Sequence, residues 1–155
     1  MVKVYFASPF FTPEQIEREE RLKKKLRDVG LYVWSPKEAS LCKPDDSAEK
    51  QQATFDGNIE NIVDCDILFA VTDGKDMGTI WEAGFANGLN YINSKKKIII
   101  VYYCETLPSG GKFNLMLARS GDLIYTNFED LNNIIADIQN FKMNNTKRTY
   151  SGHIE

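Results

Sequence analysis

A glutamate in apolar company is the first residue of this chain that invites a chemical reading. Glu82 stands between Trp81 and Ala83, with Phe85 and Ala86 just beyond, in a segment patterned as a helix. In the first turns of a helix the peptide dipoles favour the ionised carboxylate, which suits a nucleophile or base better than a general acid. Asp76 precedes it in the loop that opens the helix, where a carboxylate either caps the helix or holds a ligand hydroxyl beside Glu82. Gly78 and Thr79 let the backbone turn tightly and leave free N–H groups facing a crevice. Tyr5 lies at the end of the first apolar run, from which its hydroxyl could reach and orient the carboxylate. Phe10 and Phe11 follow a proline, and two consecutive rings are costly to expose. They are either core or the apolar wall for a flat ligand such as a base.

Other chemistries lack their residues. Cys42, Cys65 and Cys104 are far apart without metal spacing and His153 is the single histidine, so no zinc site is expected. Reduced thiols are the simplest account of the cysteines. There is no G-x-S-x-G elbow, no G-x-x-x-x-G-K-[ST] and no G-x-G-x-x-G, and "SGGK" (109–112) reads as a solvated loop rather than a phosphate cradle. A net charge of −3 argues against binding to nucleic acid or an anionic membrane. The basic run "REERLKKKLR" alternates with glutamates and reads as a solvated helix face. No apolar segment reaches the roughly 18–20 residues that span a bilayer. The sequence opens directly into a strand pattern, so no signal peptide and a cytoplasmic location are expected.

The elements that must position these residues alternate regularly. "KVYFAS" (3–8) reads as a buried strand, and "TPEQ" opens a helix through a capping box on Thr12 with Pro13 at the first helical position. Leu22, Leu26 and Val29 recur at helical spacing until Gly30. "LYVWSP" (31–36) is a second strand, 37–47 a polar loop, and 48–63 a second helix with Phe55, Ile59 and Ile62 on one face. "DILFAVTD" (66–73) and "KIIIVYY" (97–103) are strands with a helix (79–92) between them. Their continuous apolar character is that of strands covered on both faces. "FNLMLA" is a short apolar stretch, 122–126 a fifth, edge strand, 128–141 a last helix and 142–155 a polar tail. Such alternation predicts an α/β single domain over 1–141: a doubly wound, five-stranded parallel sheet with helices on both faces, of flavodoxin-like order. Ligands bind such sheets beyond the carboxyl ends of the strands, near the point where strand order reverses.

Taken together, "KVYFASPFFTPEQ", "NIVDCDILFAVTDGKDMGTIWEAGFANG" and "KFNLM" resemble the nucleoside 2-deoxyribosyltransferase family over nearly the whole chain. The resemblance implies exchange of the base of a 2'-deoxyribonucleoside for another free nucleobase, without cofactor. Glu82 would be the nucleophile that forms a deoxyribosyl ester, Tyr5 would orient it, and Asp76 would hold a sugar hydroxyl. Asn114 would bind the 5' side of the sugar with Met116 packing nearby, both reaching the site of a neighbouring subunit, as would the tail. A homo-oligomer, a hexamer built of dimers, is thereby implied. The chain departs from the family pattern at Asn58, where many members carry an aspartate that protonates the leaving base. Asp56 would substitute for it, or Asn58 would only hydrogen-bond the base. After the second strand, Ser40 and Glu38 stand where a glutamine often meets the base edge. Two rivals share the nucleophile's surroundings: a hydrolase releasing the base of a deoxynucleoside 5'-monophosphate, and a non-catalytic nucleoside-binding module.

Overall fold

The computed structural model describes residues 1–39, 41–93, 97–107 and 111–155. Ser40 and the first two residues of "SGGK" lie outside them. The elements run β1 (Lys3–Ala7), α1 (Pro13–Asp28), β2 (Tyr32–Trp34), α2 (Pro36–Ala39), α3 (Ala48–Asp64) and β3 (Ile67–Val71). They continue as α4 (Met77–Ile92), β4 (Ile99–Tyr103), β5 (Lys112–Phe113), α5 (Leu115–Ser120), β6 (Leu123–Tyr125), α6 (Ile134–Asn144) and β7 (His153–Ile154).

The main sheet is parallel throughout in the order β2-β1-β3-β4-β6, which is the doubly wound order expected. Strand periodicity divides its side chains between two cores. Val4, Phe6, Ile67, Phe69 and Val71 face one way, against Leu22 and Leu26 of α1 and Ile134, Ile138 and Phe141 of α6. Leu22 and Leu26 are fully buried, each contributing roughly 1.5–3 kcal/mol. Tyr5, Ala7, Leu68 and Ala70 face the other way, against Ile62 of α3, Ala83 and Ala86 of α4 and Ala118 of α5. The small alanines bring the start of α4 close to the sheet.

Four details differ from the sequence reading. The second strand stops at Trp34, and Pro36–Ala39 form a single helical turn in place of a loop. The last helix opens as a 3-10 turn, Glu129–Asn133. The charged run in α1 is only in part a solvated face: Glu20, Arg21, Lys24 and Arg27 are exposed, but Glu19 and Lys23 are wholly buried. The tail is ordered on its own chain: β7 pairs in parallel with β5, the Leu115 N–H donates to the Glu155 carbonyl at 2.6 Å, and Tyr150 Oη donates to the Gly111 carbonyl at 2.8 Å. Among the described residues no helix is long and apolar enough to cross a membrane.

Candidate active site

Order reverses between β1 and β3, and the chain leaving each strand builds a cleft at that point. After β3, Gly74 (φ 82°) and Lys75 (φ 53°) both take the left-handed conformation, folding the chain back to open α4. Only glycine adopts that conformation freely, so Lys75 carries local strain. Asp76 is the N-cap of α4: its Oδ2 accepts from the Thr79 N–H and from Thr79 Oγ1, each at 2.8 Å. The other oxygen, Oδ1, makes no hydrogen bond among the described residues. A Cβ added at Gly78 would stand 3.3 Å from Asp76 Oδ2, so a side chain there would crowd the carboxylate.

One turn further along α4, Glu82 accepts a hydrogen bond from Tyr5 Oη at 2.6 Å. Tyr5 comes from β1, is fully buried, and stacks on Trp34 with ring centroids 5.0 Å apart. Burial pushes the Glu82 carboxyl up to about 7, the Tyr5 hydrogen bond holds it down, and the charge of Asp76 raises it again. The helix-dipole expectation of a firmly ionised carboxylate is therefore corrected: loss of solvent outweighs the dipole. Burial also pushes the Tyr5 hydroxyl far above its usual range, so it stays a proton donor.

Asp76, Gly78, Thr79 and Glu82 line one end of a cleft of about 340 Å³, with Tyr5 buried behind Glu82. Its other walls are apolar, from Phe10, Phe11 and Pro36, with Asn58 of α3 supplying an amide. The two phenylalanine rings lie 5.1 Å apart. Tyr5, Glu82, Asp76, Gly78, Phe10 and Asn58 are thus brought together. Asp56 is not: it is exposed and accepts a hydrogen bond from Gln52 Nε2 at 2.8 Å, away from the cleft. Asn114 and Met116 line a separate cleft of about 490 Å³ with Lys75, Ile80 and Glu155. Asn114 caps α5 there, accepting from the Met116 and Leu117 N–H groups. Glu38 is also turned away, toward Lys23 and Arg27. Sequence reasoning missed Trp34, Pro36 and Met77, although the Ser-Pro break after each of the first two strands marked where the cleft walls begin.

Comparison with known proteins shows which family the chain falls in. A family model for nucleoside 2-deoxyribosyltransferases matches residues 4–135. The chain belongs to that family. It is accordingly an enzyme of the pentosyltransferase class. A solved 2-deoxyribosyltransferase from Bacillus psychrosaccharolyticus is 30% identical, with a TM-score of 0.72 over 96% of this chain and 99% of that one. A 2-desoxiribosyltransferase from Leishmania mexicana shares the fold at 19% identity, with a TM-score of 0.54 over 91% and 97% of the two chains. A conserved protein from Enterococcus faecalis V583 does so at 19% and 0.54, over 100% and 91%. No curated protein matches the chain.

Proposed function

We propose that this deoxyribosyltransferase exchanges the bases of 2'-deoxyribonucleosides through a covalent ester on Glu82. The observation that carries the reading is the hydrogen bond from buried Tyr5 to Glu82 at the end of an apolar cleft. One carboxylate oxygen is held by the phenol, and the cleft gives the other an opening toward a sugar carbon. Glu82 attacks C1' as the C1'–N bond breaks, and the departing base keeps the electron pair. A nitrogen of the incoming base then attacks C1' from the vacated face, and the ester C–O bond breaks to return the carboxylate. Two displacements give net retention, as in retaining glycosidases. Asp76 Oδ1 accepts a hydrogen bond from a sugar hydroxyl, Phe10, Phe11 and Pro36 enclose the flat base, and the Asn58 amide meets its polar edge. Nothing in this scheme calls for a cofactor.

Asn58 carries no acidic proton, so the leaving base takes its proton from water. Asp56, exposed on α3, is not the acid. Asn114, Met116 and the tail act in the cleft of a neighbouring subunit. Support comes from their lying apart from Glu82 within one chain, and from Leu115 and Met116 being 47% and 73% exposed. An aromatic ladder, Phe55–Trp81–Phe85, with Phe55 and Trp81 exposed and Phe85 half-buried, adds an apolar face for a second copy to cover. A dimer-based hexamer is the assembly we infer.

Among the described residues the Glu82 cleft carries no lysine or arginine, which favours nucleosides over nucleoside monophosphates. The test is a chromatographic exchange assay with deoxyinosine or thymidine as donor and free adenine as acceptor, in phosphate-free buffer. Deoxyadenosine is the expected product. Base and deoxyribose 5-phosphate released from a deoxynucleotide, with no exchange, would assign the hydrolase instead.

A further inference from the structure

The corner that joins β2 to α2 is tied down on both sides of Pro36, at Trp34, Ser35, Lys37 and Glu38. Trp34 stacks on Tyr5, Ser35 Oγ donates to Glu19 Oε1 at 2.9 Å, and Pro36 lines the cleft. Lys37 Nζ lies 3.2 Å from Glu19 Oε2 and 3.0 Å from Glu20 Oε1. Glu38 accepts from Lys23 Nζ at 2.9 Å and from the two Arg27 terminal nitrogens at 3.1 and 2.6 Å. The partners of Ser35, Lys37 and Glu38 all sit on α1.

Two features of this network are unexpected for mere stability. Lys23 is wholly buried, and its ammonium meets Glu19, Glu20 and Glu38 at 3.2, 3.0 and 2.9 Å. Desolvating such a charge costs several kcal/mol, and an apolar side chain of similar size often serves stability as well or better. In addition, α2 buries no residue of its own. It has no hydrophobic anchor, so its position depends on the backbone turn and on these ionic contacts. Charged hydrogen bonds supply what apolar packing does not, a fixed direction and distance. The neighbouring guanidinium and ammonium also hold Glu38 ionised: the Arg27 hydrogen bonds, opposed by partial burial and joined by Lys23, bring it down to about 2. The tie is therefore intact at every working pH.

We propose that Glu38 is a positioning residue: clamped by Lys23 and Arg27, it fixes the Pro36 wall and so sets the affinity of the cleft for the base. The inference rests on the reading above that the cleft takes a flat nucleobase, and the experiment separates the two. Free adenine is titrated by calorimetry into the full-length wild type, Glu38→Gln, Arg27→Gln and the double variant, and exchange is measured in parallel. Glu38 is 41% exposed in its side chain, which makes Glu38→Gln a mild substitution for the fold. Arg27→Gln removes the guanidinium side of the same tie, together with its 3.0 Å hydrogen bond to the Val33 carbonyl, and leaves Lys23 on Glu38.

Either single variant should weaken adenine binding and raise the acceptor KM about three- to tenfold, the scale of a few partly exposed charged contacts. Turnover at saturating base should stay within about twofold, since the clamp touches no reacting atom. Adding Arg27→Gln to Glu38→Gln should weaken binding no further, as befits one shared contact. Unchanged adenine affinity in Glu38→Gln would overturn the proposal, as would a fall in saturating turnover at unchanged affinity, or fully additive losses. A wild type that binds no adenine would overturn the base-site reading together with the clamp, and that result is read before any variant is made.

Discussion

Removing the Tyr5 hydroxyl should change the pH at which the enzyme works as well as its speed. The Glu82 carboxyl stands at about 7, and the hydrogen bond from Tyr5 is the one influence that lowers it, against burial and the charge of Asp76. Tyr5→Phe deletes that bond and keeps the ring that stacks on Trp34 in the core. A hydrogen bond to a charged group is worth about 1.5–3 kcal/mol, which at about 1.4 kcal/mol per unit raises Glu82 by roughly one to two units. In the proposed mechanism the nucleophile is the ionised form, whose share grows with pH, so the acid limb of kcat/KM should move toward alkaline pH. At pH 7 the ionised share falls from about one half to roughly 1–10%, giving a loss of about five- to fiftyfold that largely recovers by about pH 9–10. The assay is kcat/KM for the donor nucleoside between about pH 5 and pH 10 in wild type and Tyr5→Phe. An acid limb that stays in place would refute the electrostatic role. A uniform loss at every pH would reduce Tyr5 to a steric guide.

The same burial makes Glu82 costly to the fold above neutrality. Its folded pKa of about 7 lies above the ordinary 4.5, so stability is full below 4.5, where both states hold the proton, and is lost as pH rises through 7. Glu82→Gln should therefore stabilise the chain by on the order of 2–3 kcal/mol at pH 8 and by little at pH 4.5; urea midpoints check this, and an equal gain at both would contradict it. Asp56→Asn should leave turnover within about twofold, whereas Asn58→Ala should raise the base KM about fivefold through a lost neutral hydrogen bond; the reverse order would return Asp56 to the site. Asn114→Ala should cost about 1 kcal/mol of stability through the lost cap, while Asn114→Asp keeps the cap and loses the amide donor, so donor KM rises at an unchanged melting temperature. Co-refolding inactive Glu82→Ala with Asn114→Ala should raise exchange in hybrid assemblies above that of Asn114→Ala alone at sub-saturating donor if Asn114 serves a neighbour, and no gain would confine it to its own chain.

Much of this was written locally in the sequence. Continuous apolar runs set β3 and β4, and turn chemistry after each strand marked the cleft edge. Tyr5 and Glu82 were legible as a pair because one ends a strand pattern and the other begins a helix beside it. What escaped depends on long-range packing. The ionisation of Glu82 is decided by burial, which no local pattern states. Lys23 looked solvated because its partner Glu38 lies on a different element. Asp56 and Asn58 are two residues apart on a helix, which puts them on nearly opposite faces, so only one could meet the cleft. The order of the tail comes from pairing His153–Ile154 with Lys112–Phe113, a contact between distant segments that neither announces.

Detection of the covalent intermediate bears most directly on the mechanism. The enzyme is incubated with deoxyinosine and no acceptor, quenched in acid, digested and analysed by mass spectrometry. One deoxyribosyl group should appear on the peptide carrying Glu82, be absent from Glu82→Ala, and discharge as deoxyadenosine when adenine is added before the quench. An exchange-competent enzyme whose Glu82 peptide stays unmodified while another carries the sugar would contradict it.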